Sequence, residues 1–171
     1  NTNTVVAFQD QKDINSVLVE IPNITSSPGV IPTAVWFEGP SKMPKIGLSA
    51  LNMRNNSNSD VYFHSNFKRL IGNPIEKINK KNILNPTECG EKFFKFLLAS
   101  IPQKYEIKRL VLTAPIDTYK GYRQWLVNLS EKVSIDEIAL VDEPTAASLG
   151  ISLPFGSKIM TLDIGGSTID M

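Results

Sequence analysis

The spacing of apolar positions changes along this chain and predicts two kinds of element. Near the N-terminus, apolar residues come in short blocks divided by turn formers. Residues 4–8 and 17–21 are β-prone and flank the polar stretch 9–13, which predicts a hairpin. Pro22, Pro28, Gly29 and Pro32 punctuate a loop, and Thr33-Ala34-Val35-Trp36-Phe37 predicts a further strand. Residues 38–60 are broken by Gly39, Pro40 and Pro44 and end in an Asn/Ser-rich run. They read as loops with one short strand at 45–48, the run being a solvated loop tip. Apolar spacing from 62 to 71 is irregular, with Lys68 and Arg69 inside it, and the basic stretch 75–81 reads as a solvated face.

Helical spacing takes over from residue 88. Phe93, Phe94, Leu97, Leu98 and Ile101 predict an amphipathic helix over 88–101, with Thr87 as cap after Pro86 and Pro102 as stop. Residues 107–114 read as a strand whose apolar end suggests a buried sheet. Tyr122, Trp125, Leu126, Leu129 and Val133 mark a second helix over 119–133. Residues 137–141 form a strand, 144–149 a short helix with Pro144 in its first turn, and 158–164 a last strand. Strands first, then strand–helix–strand–helix–strand, predict an α/β fold in which one mixed sheet is flanked by helices. The strands 4–8, 17–21, 33–37, 107–114 and 137–141 should share that sheet, with 38–85 as a smaller subdomain.

Composition narrows the function. Apolar residues make up 42% and charged residues 20% of the 171 positions, as in a folded globular protein. Eighteen Lys and Arg against seventeen Asp and Glu leave a net charge of +1, which argues against a nucleic-acid surface driven by bulk charge. No run of about 18 apolar residues exists, which excludes a transmembrane helix. Cys89 and His64 are the sole residues of their types, too few for a disulfide or a structural zinc site. A Cys–His nucleophile pair lacks an orienting group in any recognisable motif, and Cys89 reads as a small buried hydrophobe on a helix. Asn23, Asn55 and Asn128 head Asn-x-Ser/Thr triplets, read as chance without a secretion signal. These features together favour a cytoplasmic location.

Three segments carry candidate chemistry. In Leu162-Asp163-Ile164-Gly165-Gly166-Ser167-Thr168-Ile169-Asp170, a strand delivers a carboxylate and then a turn of small residues. Glycine lets backbone N–H groups approach phosphate oxygens, and hydroxyls add donors. An Asp at a strand end can hold a hydrated Mg²⁺. A plain β-hairpin with a glycine turn is an equal reading on these residues alone. Asn1-Thr2-Asn3-Thr4 before Val5-Val6-Ala7-Phe8 fits the far side of a second phosphate turn or a frayed terminus. Val141-Asp142-Glu143-Pro144-Thr145-Ala146-Ala147-Ser148 places two carboxylates where a helix begins. That is dipole chemistry, or a carboxylate presented to metal-bound water.

Taken in order, these segments resemble the actin-like ATPase (ribonuclease H-like) fold, and within it the seventy-kilodalton heat-shock chaperones. Thr2-Asn3-Thr4-Val5-Val6-Ala7 resembles the end of their first phosphate motif. Phe67-Lys68-Arg69-Leu70-Ile71-Gly72 resembles their Lys-Arg-Leu-Ile-Gly segment, Leu112-Thr113-Ala114-Pro115 their Thr-Val-Pro strand end, and Arg123-Gln124 their helical Arg-Gln. Asp142-Glu143-Pro144-Thr145-Ala146-Ala147 and the 163–170 segment complete the set.

The resemblance implies ATP or ADP with Mg²⁺ as cofactors. Lys68 matches the lysine that contacts the transferred phosphate and attacking water. Glu143 and Asp163 match carboxylates near the metal, acting through its waters, and Thr168 a hydroxyl donor to the terminal phosphate. Asn1, Thr2 and Asn3 match the end of the first phosphate loop, and Gly165, Gly166, Ser167 and Thr168 the second. Pro144 matches the proline of interdomain signalling. The implied partners are nucleotide, unfolded clients and co-chaperones, with no nucleic acid and no membrane. On this reading residues 1–154 are the first lobe, with the outer subdomain at about 38–85, and 155–171 open the second lobe.

Departures from the family bear on activity. On this reading the Asp-x-Gly before the first phosphate motif, the adenosine-binding lobe and the peptide-binding domain are expected to lie outside these residues. Ser167 replaces a common glycine, and the stretch between Gly72 and Pro86 is short. The expectation is a fragment of an ATPase that binds nucleotide poorly by itself. An actin-like filament or plasmid-partition ATPase and a sugar kinase are the competing readings. The 68–72 and 143–147 segments favour the chaperone over both.

Overall fold

A computed structural model describes residues 3–10, 12–13, 15–72, 84–102, 104–116, 120–151, 156, 158, 160–161, 163–164 and 169–170. Residues 120, 163–164 and 169–170 are described through their backbone alone. The chain divides into two compact units, Asn1–Tyr105 and Glu106–Met171. No helix among the described residues is long and apolar enough to cross a membrane.

The first unit opens with β1 (Asn3–Val5), β2 (Ala7–Phe8) and β3 (Val17–Leu18). Strands β2 and β3 form the expected hairpin, with Ala7 opposite Leu18 and Phe8 opposite Val17. Strand β1 turns instead to β4 (Val30–Pro32), antiparallel, with Thr4 opposite Ile31. Next come β5 (Ala34–Trp36), β6 (Lys45–Ile46), α1 (Leu48–Asn55) and β7 (Phe63–Ser65). Strand β5 lies between β6 and β7, both antiparallel to it. Residues 31–37 are buried without a break, the signature of a strand covered on both faces. Trp36 and Ala34 pack with Ala50 of α1, and Leu51, Met53, Tyr62 and Phe63 close around them. Burying a large apolar side chain such as Val35 or Ile31 stabilises by roughly 1.5–3 kcal/mol, so this strand anchors the unit.

Helix α1 corrects the expectation of loops over 38–60. Its start is fixed by tertiary contacts. Gly47 takes φ 62, and no side chain caps the helix. The N–H groups of Leu48 and Ser49 instead donate to the carbonyls of Ile24 and Asn23, both at 2.9 Å. Two of the four orphan donors of a helix start are thereby satisfied by a loop far away in sequence.

Helix α2 (Pro86–Ser100) matches the expected helix but not the expected cap. Asn85, not Thr87, caps it: its Oδ1 accepts from the Glu88 N–H at 2.8 Å, and Glu88 Oε2 accepts from the Asn85 N–H at 2.9 Å. This reciprocal box leaves Pro86 at the first helical position, where its missing N–H does no harm. Cys89, Phe93 and Leu97 recur every fourth residue and are buried. Cys89 is the small buried hydrophobe that its helical setting suggested.

The second unit holds β8 (Arg109–Ala114), α3 (Lys120–Ser130), β9 (Glu137–Asp142) and α4 (Glu143–Gly150). Strands β8 and β9 run parallel from Arg109↔Glu137 to Ala114↔Asp142, joined across helix α3 as parallel neighbours require. Tyr122, Leu126 and Leu129 are the buried stripe of α3. Strand β8 is less enclosed than expected: Val111 is 53% exposed. Last come β10 (Asp163–Ile164) and β11 (Ile169–Asp170), antiparallel, with Asp163 opposite Asp170.

The architecture is therefore mixed α/β, but the expected strands do not share one sheet. Among the described residues they fall into four two-stranded ladders and one three-stranded sheet. The reason lies in strand length: most are two or three residues long, and each extends only as far as its nearest antiparallel partner. Lys45–Ile46 and Phe63–Ser65 flank Ala34–Trp36, so part of the 38–85 stretch belongs to the sheet of the residues before it.

Candidate phosphate and metal site

Lys68 and Asn3 belong to the first unit, and Glu143, Pro144 and Asp163 to the second. Each is described within its own unit. Asn1, Thr2, Gly165, Gly166, Ser167 and Thr168 lie outside the described residues.

Lys68 sits on a single 3-10 turn, Phe67–Arg69. Asn66 enters it in the left-handed region at φ 57, a conformation Asn tolerates better than most residues. Phe67 is buried and meets the Phe93 ring of α2 at 6.1 Å. The N–H groups of Leu70 and Ile71 both donate to the Phe67 carbonyl, at 2.9 and 3.2 Å. Ile71 is 1% exposed. Two buried anchors thus bracket Lys68, which is half-buried at a fixed place in the chain. Asn3 is exposed on β1, opposite Pro32.

The acidic segment is split by the structure. Asp142 ends β9, one residue beyond the expected strand, whereas Glu143 opens α4. Asp142 occupies the cap position of α4 yet makes no side-chain cap bond. Its carboxylate goes instead to Arg123 of α3, Nη1 to Oδ1 at 2.5 Å. Pro144, buried behind Glu143, has no N–H to leave unsatisfied at the uncapped helix start. Glu143 is half-buried there, where helix N–H groups favour a negative charge. Its neighbour is the Tyr122 phenol, whose pKa is pushed up first by burial and then by the Glu143 charge.

The Arg123–Asp142 pair and the Tyr122–Glu143 proximity were not legible as spacings. The first joins residues 19 apart, and only the parallel β8–β9 register brings the end of β9 beside α3. The Asp163 backbone stands at the start of the β10–β11 ladder, which fits either reading of that segment, a phosphate turn or a plain hairpin.

Two further polar atoms stand out. His64 Nε2 and Trp125 Nε1 are buried with no hydrogen-bond partner among the described residues. His64 lies on β7 opposite Val35, and burial lowers its pKa below 6.5. The Cys89 thiol is pushed up to about 12, chiefly by burial, and is no nucleophile at neutral pH.

Among the described residues no cluster of three or more His, Cys, Asp or Glu could hold a metal ion by itself.

No protein-family model matches the chain. It is similar to the chaperone protein DnaK of Mycoplasmopsis synoviae, at 26% identity over 175 residues covering 99% of this chain and 28% of the relative. The chaperone protein HscA of Buchnera aphidicola is 26% identical over 157 residues, 77% of this chain and 30% of the relative. A DnaK from Metamycoplasma hominis is 26% identical over 160 residues, 88% of this chain and 26% of the relative. The chain thus spans under a third of the length of these relatives.

Proposed function

We propose that this chain is part of a chaperone of the seventy-kilodalton heat-shock type, one that binds ATP with Mg²⁺ and hydrolyses it. The observation that carries the reading is the family order of motifs from residue 2 to residue 170, together with likeness to a DnaK chaperone over 99% of the chain. The actin-like fold, with residues 1–154 as its first lobe and 155–171 opening the second, is part of the proposal. So are a cytoplasmic location and clients and co-chaperones as partners.

Phosphoryl transfer needs positioning and charge neutralisation more than covalent chemistry. Lys68, bracketed by Phe67 and Ile71, supplies a cation at a fixed place for the phosphate and attacking water. Asn1, Thr2, Asn3 and Gly165, Gly166, Ser167 and Thr168 donate to phosphate oxygens, Thr168 to the terminal one. Mg²⁺, when bound, neutralises charge on the phosphates. Glu143 and Asp163 are the residues that would hold it, through its waters. Pro144, buried at the first turn of α4, carries the interdomain signal in this proposal.

The test is Mg²⁺-dependent ATP hydrolysis by the full-length protein and its Asp163→Asn variant. Asn keeps the shape and removes the charge. Hydrolysis should fall by a hundredfold or so, in the range of lost electrostatic stabilisation, while thermal stability changes little. Equal loss of activity and stability would mean that Asp163 serves the turn and not the reaction.

A further inference from the structure

We infer that Ser148 and Thr161 are positioning residues that hold Glu143 and Asp163 at a set spacing through a directed chain of hydroxyl hydrogen bonds. The inference rests on the ATPase reading above and adds to it two residues outside the family motifs.

The geometry fixes the direction of the chain. Ser148 Oγ lies 2.8 Å from the Pro144 carbonyl oxygen and 2.5 Å from Thr161 Oγ1. A carbonyl oxygen only accepts, so the single Ser148 hydroxyl proton goes to Pro144. Thr161 must then donate to Ser148. The chain runs from Thr161 through Ser148 to the carbonyl of Pro144, and both hydroxyls are part-buried. Its two ends are informative. Pro144 directly follows Glu143, and Thr161 stands two residues before Asp163. The link therefore joins the backbone at one carboxylate to the segment that delivers the other.

Helix stability does not explain Ser148. A serine that bonds back to the carbonyl four residues earlier slightly weakens and bends a helix, and the preceding positions are Ala146 and Ala147. Among the described residues, the apolar side chains flanking the pair do not make the link either. Leu149, Ile151 and Met160, the sequence neighbours of the pair, are 72%, 60% and 84% exposed. A polar tie between part-buried hydroxyls is directional, and losing one partner leaves the other unsatisfied. Such supporting bonds hold reacting groups within fractions of an ångström.

The experiment is a double-mutant cycle in the full-length protein with Ser148→Ala, Thr161→Val and the double variant, plus Thr161→Ser. Each single variant should lose roughly tenfold in kcat, less than the hundredfold of a displacement of about 1 Å. KM for ATP should stay within about twofold, since binding contacts are untouched. The double variant should be no worse than either single one, and Thr161→Ser, which keeps the hydroxyl, should retain wild-type kcat. Unchanged kcat in the single variants, or losses that multiply in the double one, would overturn the inference. If the wild-type protein hydrolyses no ATP, the ATPase reading has failed, and hydrogen exchange decides the tie. Amide protection at 145–148 and at 163–164 should then fall together in either single variant, and unchanged protection refutes the link.

Discussion

Arg123 Nη1 stands 2.5 Å from Asp142 Oδ1, tying helix α3 to the last residue of strand β9. The pair engages the carboxylate of Asp142, the first member of the acidic doublet. Asp142 has the backbone of a helix cap but spends its carboxylate on Arg123, and Glu143 begins the helix.

The energetic worth of that pair is modest. The two side chains are 40% and 37% exposed, so water screens the attraction despite the short distance. A double-mutant cycle with Arg123→Gln and Asp142→Asn, read by urea unfolding, should give a coupling of about 0.2–1 kcal/mol. A coupling of several kcal/mol would show that the pair is far better shielded than its exposure indicates.

Gly47 is expected to resist substitution. It holds φ +62, and an added Cβ would lie 2.4 Å from the Ile24 carbonyl oxygen, backbone that also caps α1. Gly47→Ala should destabilise by roughly 1–3 kcal/mol. Gly150→Ala is the control: nothing lies within 4 Å of its added Cβ, and it ends a helix. That change should be neutral or stabilise by up to about 1 kcal/mol. Equal effects in calorimetry would remove the tertiary cap from the account of α1.

Much of this architecture was legible because it is local. The spacing of Phe93, Phe94, Leu97, Leu98 and Ile101 announced α2, and that of Tyr122, Trp125, Leu126, Leu129 and Val133 announced α3. Helix α1 was not, because the carbonyls of Asn23 and Ile24 that start it are over twenty residues away. One continuous sheet was expected since apolar blocks give strand position but not partner. Strand β1 chose β4, and β2 chose β3. At the candidate site, roles for Lys68 and Glu143 came from the family resemblance, since residue type alone left a solvated lysine and a helix-start carboxylate. The burial of Phe67 and Ile71 around one, and the Arg123–Asp142 pair beside the other, depend on packing that no spacing encodes.

Acid should weaken the first unit through His64. Its ring is 4% exposed, and burial lowers its pKa below 6.5. For a base with a depressed folded-state pKa, the unfolded chain binds the proton first. Stability is therefore fully present above the unfolded value of 6.5 and declines as pH falls below it, until the folded pKa is reached. Urea unfolding between pH 8 and pH 5 should show this decline, and His64→Leu should lack that component. A variant as acid-sensitive as the wild type would place the effect on the carboxylates.

The decisive measurement for the proposed ATPase is ATP turnover by the full-length protein carrying Lys68→Ala. The wild type should hydrolyse ATP in the presence of Mg²⁺. The variant should bind nucleotide within a few-fold of the wild type and lose turnover by roughly a hundredfold or more, because the lysine acts where charge develops. Wild-type turnover in the variant, or no nucleotide binding by the wild-type protein, would contradict it.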